Sequence, residues 1–133
     1  MYTLNTKRAS ILIVESNHFD ILVLKVLLEK YFKLYIVTTS EDAIKAVNEL
    51  DFDIVLSDTH LGKSDIDGIE LMKKIKGNKK TAHLKVFAIS TFSENKEILI
   101  QQGFSDVLTK PLIKEEIIDI LNSLTKQYKF QNN

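Results

Sequence analysis

Four polar side chains stand where short apolar runs of the sequence end, and together they suit one kind of chemistry. Glu15 follows the run ILIV, and Asp58 closes the run DFDIVLSD. Ser90 follows VFAI, and Lys110 comes shortly after FSDVL. If these ends meet, the set favours phosphoryl transfer onto a carboxylate, with Asp58 as the nucleophile and a divalent cation held by acidic oxygens. Ser90 and Lys110 would then hold the remaining phosphoryl oxygens.

The elements that must position these residues alternate along the chain. Five short apolar runs are predicted to be strands, and the first four are nearly continuous in apolar residues, as is typical of parallel strands covered on both faces. Amphipathic stretches with helical spacing separate them. This α/β alternation predicts a doubly wound parallel sheet with helices on both faces, whose ligands bind at the carboxyl ends of the strands. The predicted strands are Ile11 to Val14, Leu34 to Val37, Ile54 to Leu56, Val86 to Ile89 and Phe104 to Leu108.

Five helices are predicted from the spacing of apolar residues. Asn17 or Ser16 is predicted to cap the first helix and Ser40 the second. The predicted helices run from His18 to Phe32, from Ser40 onward, from Gly68 to Lys76, from Ser93 to Gln102 and from Lys114 to Lys126. The apolar residues predicted to face the core are Ile21, Leu24, Leu28 and Phe32, then Ala43, Ile44, Val47 and Leu50, then Ile69, Met72 and Ile75, then Ile98 and Leu99, and finally Ile117, Ile118, Leu121 and Leu124.

The composition excludes several classes of protein. The 133 residues suit one domain, and 44% hydrophobic with 27% charged residues is ordinary for a globular chain. Eighteen basic residues balance 18 acidic ones, and Arg8 is the sole arginine, so direct binding of nucleic acid is not expected. The absence of cysteine excludes disulfides and thiol chemistry. No run is long enough to span a membrane and no signal peptide is recognisable, so we expect a single cytoplasmic domain.

Five motifs in this order resemble the receiver domains of two-component response regulators: ILIVES, DFDIVLSD, DGIELMKKIK, VFAIST and GFSDVLTKPL. The resemblance runs from about residue 10 to residue 124 and implies a single receiver domain over residues 1–133. It implies the flavodoxin-like receiver fold, with five parallel strands in the order 2-1-3-4-5. It also implies a cis peptide bond between Lys110 and Pro111, which a tertiary amide permits at modest cost.

The same resemblance implies a signalling phosphoprotein of a two-component phosphorelay rather than an enzyme. Asp58 would accept a phosphoryl group from a histidine kinase or phosphotransfer protein, while Ser90 and Lys110 would bind its oxygens. The face around the fourth and fifth helices and the fifth strand would then change its affinity for an output partner. The sequence leaves open whether the receiver stands alone or is cut from a larger kinase or regulator.

A magnesium site is also implied, and here the sequence departs from the family. Its ligands would be Asp58, the backbone carbonyl of His60, and Glu15 directly or through water. The family usually has an acid at the position of Ser16, whose neutral hydroxyl is a poorer ligand for a hard cation. Magnesium affinity is therefore expected to be about ten- to a hundredfold lower, and Ser16→Asp to restore it. Ser16 could instead serve only as a helix cap.

Three further departures concern the loops and the far face. The loop THLGKSDID is longer than is common and has Gly62 where proline is usual. Val107 occupies the position where many receivers carry a switching Tyr or Phe. The stretch from Ser90 to Lys110 is slightly short, which predicts an abbreviated fourth helix.

Two alternatives follow from these departures. Ser16 and Val107 favour a degenerate receiver that acts as a phosphorylation-independent interaction module. An aspartyl-nucleophile phosphatase of the haloacid dehalogenase type would need a second Asp two positions after Asp58, but His60 stands there and no cap-sized insertion follows. No glycine-rich phosphate loop is present to support a nucleotide-binding protein.

Overall fold

Five parallel strands form one sheet in the part of the chain that the computed structural model describes, residues 8–61, 67–91 and 95–130, with side chains of the last helix described as far as residue 123. The strands are β1 (Ser10–Val14), β2 (Lys33–Val37), β3 (Ile54–Asp58), β4 (Lys85–Ser90) and β5 (Asp106–Thr109). Their order across the sheet is β2-β1-β3-β4-β5, and every neighbouring pair is parallel. The predicted fold and strand order are therefore confirmed, as is the cis peptide between Lys110 and Pro111.

Helices lie on both faces of the sheet. They are α1 (His18–Leu28), α2 (Ser40–Glu49), α3 (Gly68–Gly77), α4 (Lys96–Gln102) and α5 (Lys114–Phe130). Because side chains alternate along a strand, Ile11 and Ile13 of β1 face α1 and α5, whereas Leu12 and Val14 face α2, α3 and α4. Both faces of β1 and β3 are thus covered, which explains why their sequences are continuously apolar.

Helix α1 ends at Leu28, so the prediction that it continues to Phe32 is wrong. The Arg8 guanidinium donates to the carbonyl oxygens of Glu29 and Lys30 at 2.9 and 3.4 Å, and so binds carbonyl groups that a longer helix would use internally. Phe32 is nevertheless buried, as predicted, in the turn that follows.

The structure identifies the N-terminal caps of α1 and α2. For α1 it selects one of the two predicted residues, and for α2 the cap lies one residue before the predicted position. Asn17 caps α1, since its side-chain oxygen accepts from the backbone N–H of Asp20 at 2.9 Å, so Ser16 does not have that role. Thr39 rather than Ser40 caps α2, accepting from the backbone N–H of Asp42 at 3.1 Å. Either hydroxyl suits a cap chemically, but Thr39 has the extended backbone of a cap residue (φ −131°, ψ 157°), whereas Ser40 is already the first residue of the helix.

Two element boundaries near the last strand also differ from prediction. Helix α4 is abbreviated as predicted, beginning at Lys96 after its cap Asn95 rather than at Ser93. Strand β5 begins at Asp106, because Phe104 still bonds through its N–H to the carbonyl of Leu99 and closes the end of α4. Phe104 is buried between the two elements instead of lying in the strand.

Most predicted core residues are buried or half-buried, with two exceptions. Ile98 and Leu50 are 51% and 45% exposed, so their predicted core positions are wrong; Ala46 and Leu71 are buried instead. Leu50 lies just beyond the end of α2, where the helical spacing no longer sets its direction. The predicted positions of Gly62 and Ser93 and the side chain of Leu124 lie outside the described residues.

No helix in the described part of the chain is both long and apolar enough to cross a membrane.

Candidate functional site

The carboxyl ends of β1, β3, β4 and β5 meet at one edge of the sheet. The register places Val14 beside Ser57 and Asp58 beside Ile89. Lys110 follows β5 and donates its backbone N–H to the carbonyl oxygen of Ser90 at 2.8 Å. The residues selected from the sequence therefore converge at the edge where ligands of such sheets bind.

The Lys110 ammonium group lies among three carboxylates. Its Nζ atom is 2.7 Å from Asp20 Oδ2, 2.9 Å from Asp58 Oδ2 and 3.4 Å from Glu15 Oε1. Burial lowers the pKa of Lys110, but the hydrogen bonds to Asp20 and Asp58 raise it more, so the net shift is upward. The side chain remains protonated and acts as a fixed positive charge.

Both carboxylate oxygens of Asp58 are held by donors. Oδ2 accepts from Lys110, and Oδ1 accepts from the backbone N–H of His60 at 2.8 Å. Asp58 is only 6% exposed because it ends the central strand β3, of which every residue is buried. The carboxylate is thus oriented before any ligand arrives.

Helix α3 begins at Gly68, where close packing against the backbone of Asp58 leaves no room for a side chain. The Gly68 N–H donates to the carbonyl of Thr59 at 3.1 Å, and a Cβ at Gly68 would overlap the carbonyl oxygen of Asp58. Asp67 caps the helix by accepting from the backbone N–H of Glu70 at 2.9 Å. The start of α3 is therefore packed directly against the backbone of Asp58.

Glu15 is the most unusual carboxylate of the site, since it is 1% exposed. Its Oε2 atom accepts from the backbone N–H of Asn17 at 3.1 Å, whereas Oε1 accepts no hydrogen bond from the described residues. Burial and the adjacent Asp58 carboxylate raise the pKa of Glu15 to about 7, although the Asn17 N–H and Lys110 act in the opposite direction. Near neutral pH, Glu15 is therefore divided between its charged and neutral forms.

Other residues selected from the sequence lie at the same edge. Ser90 is 2% exposed at the end of β4. Ser16 is half-buried directly after Glu15, and His60 is exposed two residues after Asp58. The roles assigned to their hydroxyl and carbonyl groups remain predictions.

Asp20 is the residue that sequence reasoning missed. It is the third residue of α1, and its carboxylate contacts Lys110 although 90 positions separate them in the chain. The available signal was the short connection after β1: α1 starts at His18, only four residues after Val14, so its first turn must lie at the sheet edge.

The three acids form a group that could hold a metal ion. One oxygen from each of Glu15, Asp20 and Asp58 lies within 4.8 Å of the other two. Carboxylate oxygens are the ligands that Mg²⁺ and Ca²⁺ prefer, and the buried Glu15 oxygen without a hydrogen bond fits a missing cation partner. The donor set thus fits a hard divalent cation.

Comparison with known proteins identifies the family. The family model described as "Response regulator receiver domain" matches residues 11–122, and the chain belongs to that family. A curated relative, the sensor histidine kinase GacS of Pseudomonas protegens, is 24% identical over 123 residues, covering 90% of this chain and 13% of GacS. The first curated relatives are longer proteins, of which the chain spans between 13% and 44%.

Solved structures show the same fold. The receiver domain of the sensor histidine kinase PA1611 from Pseudomonas aeruginosa superimposes with a TM-score of 0.79 at 22% identity, covering 88% of this chain and 97% of that one. NtrX from Brucella abortus gives a TM-score of 0.81 at 24% identity, covering 93% of this chain and 28% of NtrX. The chain is accordingly a regulatory receiver domain of the two-component type, homologous to those of histidine kinases.

Proposed function

We propose that this chain is a phosphorelay receiver in which Asp58 accepts a phosphoryl group from a histidine kinase or phosphotransfer protein. The observation that carries the proposal is the contact between Asp58 Oδ2 and Lys110 Nζ, 2.9 Å apart at the carboxyl edge of the sheet. A buried, oriented carboxylate beside a fixed ammonium group is suited to attack phosphorus. The same ammonium group then balances the charge on the phosphoryl oxygens.

In the transfer, an Asp58 oxygen bonds to phosphorus while the nitrogen–phosphorus bond of a phosphohistidine breaks. The products are an acyl phosphate on Asp58 and the donor's imidazole, whose released ring nitrogen takes up a proton from solvent. Lys110 and the Ser90 hydroxyl hold phosphoryl oxygens, and the His60 N–H keeps the Asp58 carboxylate oriented at 2.8 Å. The receiver contributes positioning and charge, which is what phosphoryl transfer needs from a protein.

Magnesium is the proposed cofactor. Glu15, Asp58 and the backbone carbonyl of His60 would hold it, with Ser16 offering at most a neutral hydroxyl. When bound, the ion would offset negative charge between the carboxylate and the incoming phosphoryl group. The solved PA1611 receiver has a magnesium ion coordinated in its active-site cleft, which supports this choice of metal.

The surface of α1 supports a protein as the phosphodonor. Phe19, Leu22 and Val26 are 70%, 58% and 69% exposed and are spaced to share one face of the helix. This apolar stripe begins beside Asp20, which contacts Lys110. Exposed apolar surface of this kind is typical of protein interfaces. A donor seated along α1 would therefore present its phosphohistidine at the edge where Asp58 lies.

The proposed output surface is the face formed by α4, β5 and α5. Ile98 of α4 and Ile113 before α5 are each 51% exposed there, and Ile100 is 41% exposed. Val107 of β5, in the same face, is 4% exposed. Phosphorylation is proposed to change the affinity of this face for a partner. Because position 107 is a valine, this change would occur without the aromatic side chain that many receivers have there.

Intact-mass analysis after incubation with acetyl phosphate, with and without magnesium, tests the phosphoacceptor. The wild-type chain should gain one phosphoryl group in a magnesium-dependent manner, and Asp58→Ala should gain none. Asp51→Ala, which removes an exposed aspartate from the loop before the same strand, should behave as wild type. Persistent labelling of Asp58→Ala would refute the assignment, and no labelling of the wild type would favour the phosphorylation-independent module.

The α1 surface is tested by separating the two kinds of donor. Leu22→Ser should slow transfer from a phosphohistidine-bearing phosphotransfer domain by about tenfold or more, as expected for a central interface residue. Labelling by acetyl phosphate should not change, because that donor needs no docking surface. Leu50→Ser, at a residue 45% exposed beyond α2, is the control and should alter neither reaction. Equal slowing by both variants would contradict docking on α1.

A further inference from the structure

Asp20 occupies a helix position at which a carboxylate needs no partner beyond its own helix. As the third residue of α1, it donates its backbone N–H to the Asn17 cap. Asp42 has the same position in α2 and donates to the Thr39 cap in the same way, yet its side chain is exposed. Asp20 instead places Oδ2 at 2.7 Å from Lys110 Nζ, inside the site. The helix start alone does not explain this placement.

The charges around Asp20 do not balance within the described residues. Glu15, Asp20 and Asp58 bring oxygens within 4.8 Å of one another, and Lys110 supplies one positive charge among them. With all groups ionised, this cluster carries two excess negative charges. A divalent cation is the ligand whose charge would neutralise it.

A second, independent observation also indicates a cation. The Oε1 atom of Glu15 belongs to a side chain that is 1% exposed, accepts no hydrogen bond from the described residues and is 3.4 Å from Lys110. A buried carboxylate oxygen of this kind normally has a donor or a metal ion as its partner. Because Glu15, Asp20 and Asp58 each bring a carboxylate oxygen within 4.8 Å of the other two, the ion would lie among these three groups.

We propose that Asp20 supplies the third carboxylate of the cation site in place of the serine at position 16. This proposal rests on the magnesium-dependent receiver function proposed above. Residues 16 and 20 flank the same edge, the first directly after Glu15 and the second in the first turn of α1. A ligand moved by four residues along the chain thereby reaches the same cluster. The low affinity expected from Ser16 alone does not apply, because three carboxylates are present rather than two.

Calorimetric binding of Mg²⁺ to the full chain tests the proposal with four proteins. Asp20→Asn should bind Mg²⁺ about ten- to a hundredfold more weakly than wild type, the range expected for losing one charged ligand. Asp42→Asn is matched in helix position and cap, and its affinity should stay within about twofold. Ser16→Asp combined with Asp20→Asn should return the affinity to within about threefold of wild type, since it puts a carboxylate back at the edge.

The swap separates a metal ligand from a residue that only positions Lys110. Affinity of Asp20→Asn equal to wild type would overturn the proposal, and so would a loss that Ser16→Asp fails to restore. Circular dichroism verifies the fold of each variant, and Asp20→Ser repeats the measurement if the asparagine variant is unfolded. If the swap behaves as expected but acetyl phosphate never labels Asp58, the proposed phosphoacceptor function fails while the role of Asp20 stands. If acetyl phosphate labels Asp58 normally but Asp20→Asn binds Mg²⁺ as tightly as wild type, the role of Asp20 fails while the phosphoacceptor function stands.

Discussion

Replacing Glu15 by Gln should make the metal-free protein more stable at alkaline pH and leave it unchanged in acid. The carboxylate is 1% exposed, and burial beside Asp58 raises its pKa from 4.5 to about 7. Because the folded-state pKa is the higher one, the folded chain binds more protons than the unfolded chain between these values. Stability contributed by this group is therefore fully present below pH 4.5 and lost as the pH rises through about 7. Glutamine resembles the protonated acid and escapes that loss.

The size of the effect follows from the width of the shift. A displacement from 4.5 to about 7, at about 1.4 kcal/mol per pKa unit, sets an upper value of about 3.5 kcal/mol above pH 8. Coupling of Glu15 to Asp58 and Lys110 reduces what one substitution recovers. We therefore expect Glu15→Gln to raise the free energy of unfolding by about 1–3 kcal/mol at pH 8.5, and by less than about 0.5 kcal/mol at pH 4.5.

Urea unfolding in the presence of a chelator measures this difference, followed by circular dichroism because the chain has no tryptophan. The exposed Glu49 at the end of α2 provides the control, and Glu49→Gln should stay within about 0.5 kcal/mol of wild type at each pH. Adding Mg²⁺ at pH 8.5 should stabilise wild type more than Glu15→Gln, since the ion uses the carboxylate. A Glu15→Gln protein that is less stable than wild type at pH 8.5 without metal would refute the reasoning.

Two glycine substitutions and a control give the remaining predictions. Gly68→Ala should lower the free energy of unfolding by about 2–4 kcal/mol, because the added Cβ overlaps the carbonyl oxygen of Asp58; urea unfolding measures this, and an unchanged midpoint would contradict the close packing. Gly103→Ala should cost about 1–2 kcal/mol, since φ is +131° and a Cβ would lie 2.9 Å from Met72 Sδ. Gly77→Ala serves as the control, because no neighbouring heavy atom lies within 4 Å of the added Cβ. In the same assay it should be neutral or should stabilise the protein by about 0.4–1 kcal/mol. A loss as large as that of Gly103→Ala would show that the space around each glycine does not decide the outcome.

The sheet was predictable because its signal is local and repeated. Each central strand is buried on both faces, so its run of apolar residues marks it without reference to the rest of the chain. The boundaries of α1 and β5 were not predictable in this way. The end of α1 depends on Arg8, which lies 21 residues away from Glu29, and the start of β5 depends on how Phe104 closes α4.

The site residues also divide into those that the sequence could predict and one that it could not. Asp58 and Ser90 end β3 and β4, and Glu15 and Lys110 directly follow β1 and β5. Because parallel topology brings strand ends together, the convergence of these residues follows from the pattern. Asp20 lies in a helix, where its sequence position resembles that of the exposed Asp42. The two differ in place: α1 follows β1, which pairs with β3, whereas α2 follows β2, the edge strand farthest from β5. The contact with Lys110 therefore required the three-dimensional structure.

The position of Lys110 after the last strand has a consequence for synthesis of the chain. Glu15, Asp20 and Asp58 leave the ribosome first, and the ammonium group that contacts them follows Asp58 by 52 residues. A nascent chain that has formed β1, β3 and β4 thus gathers the acids without their counter-charge, and like charges at this distance repel. Pairing of β5 with β4 delivers Lys110 and completes the sheet in one event. Electrostatic attraction between Lys110 and the acids therefore favours docking of β5 as soon as the growing chain is long enough for this strand to reach the sheet.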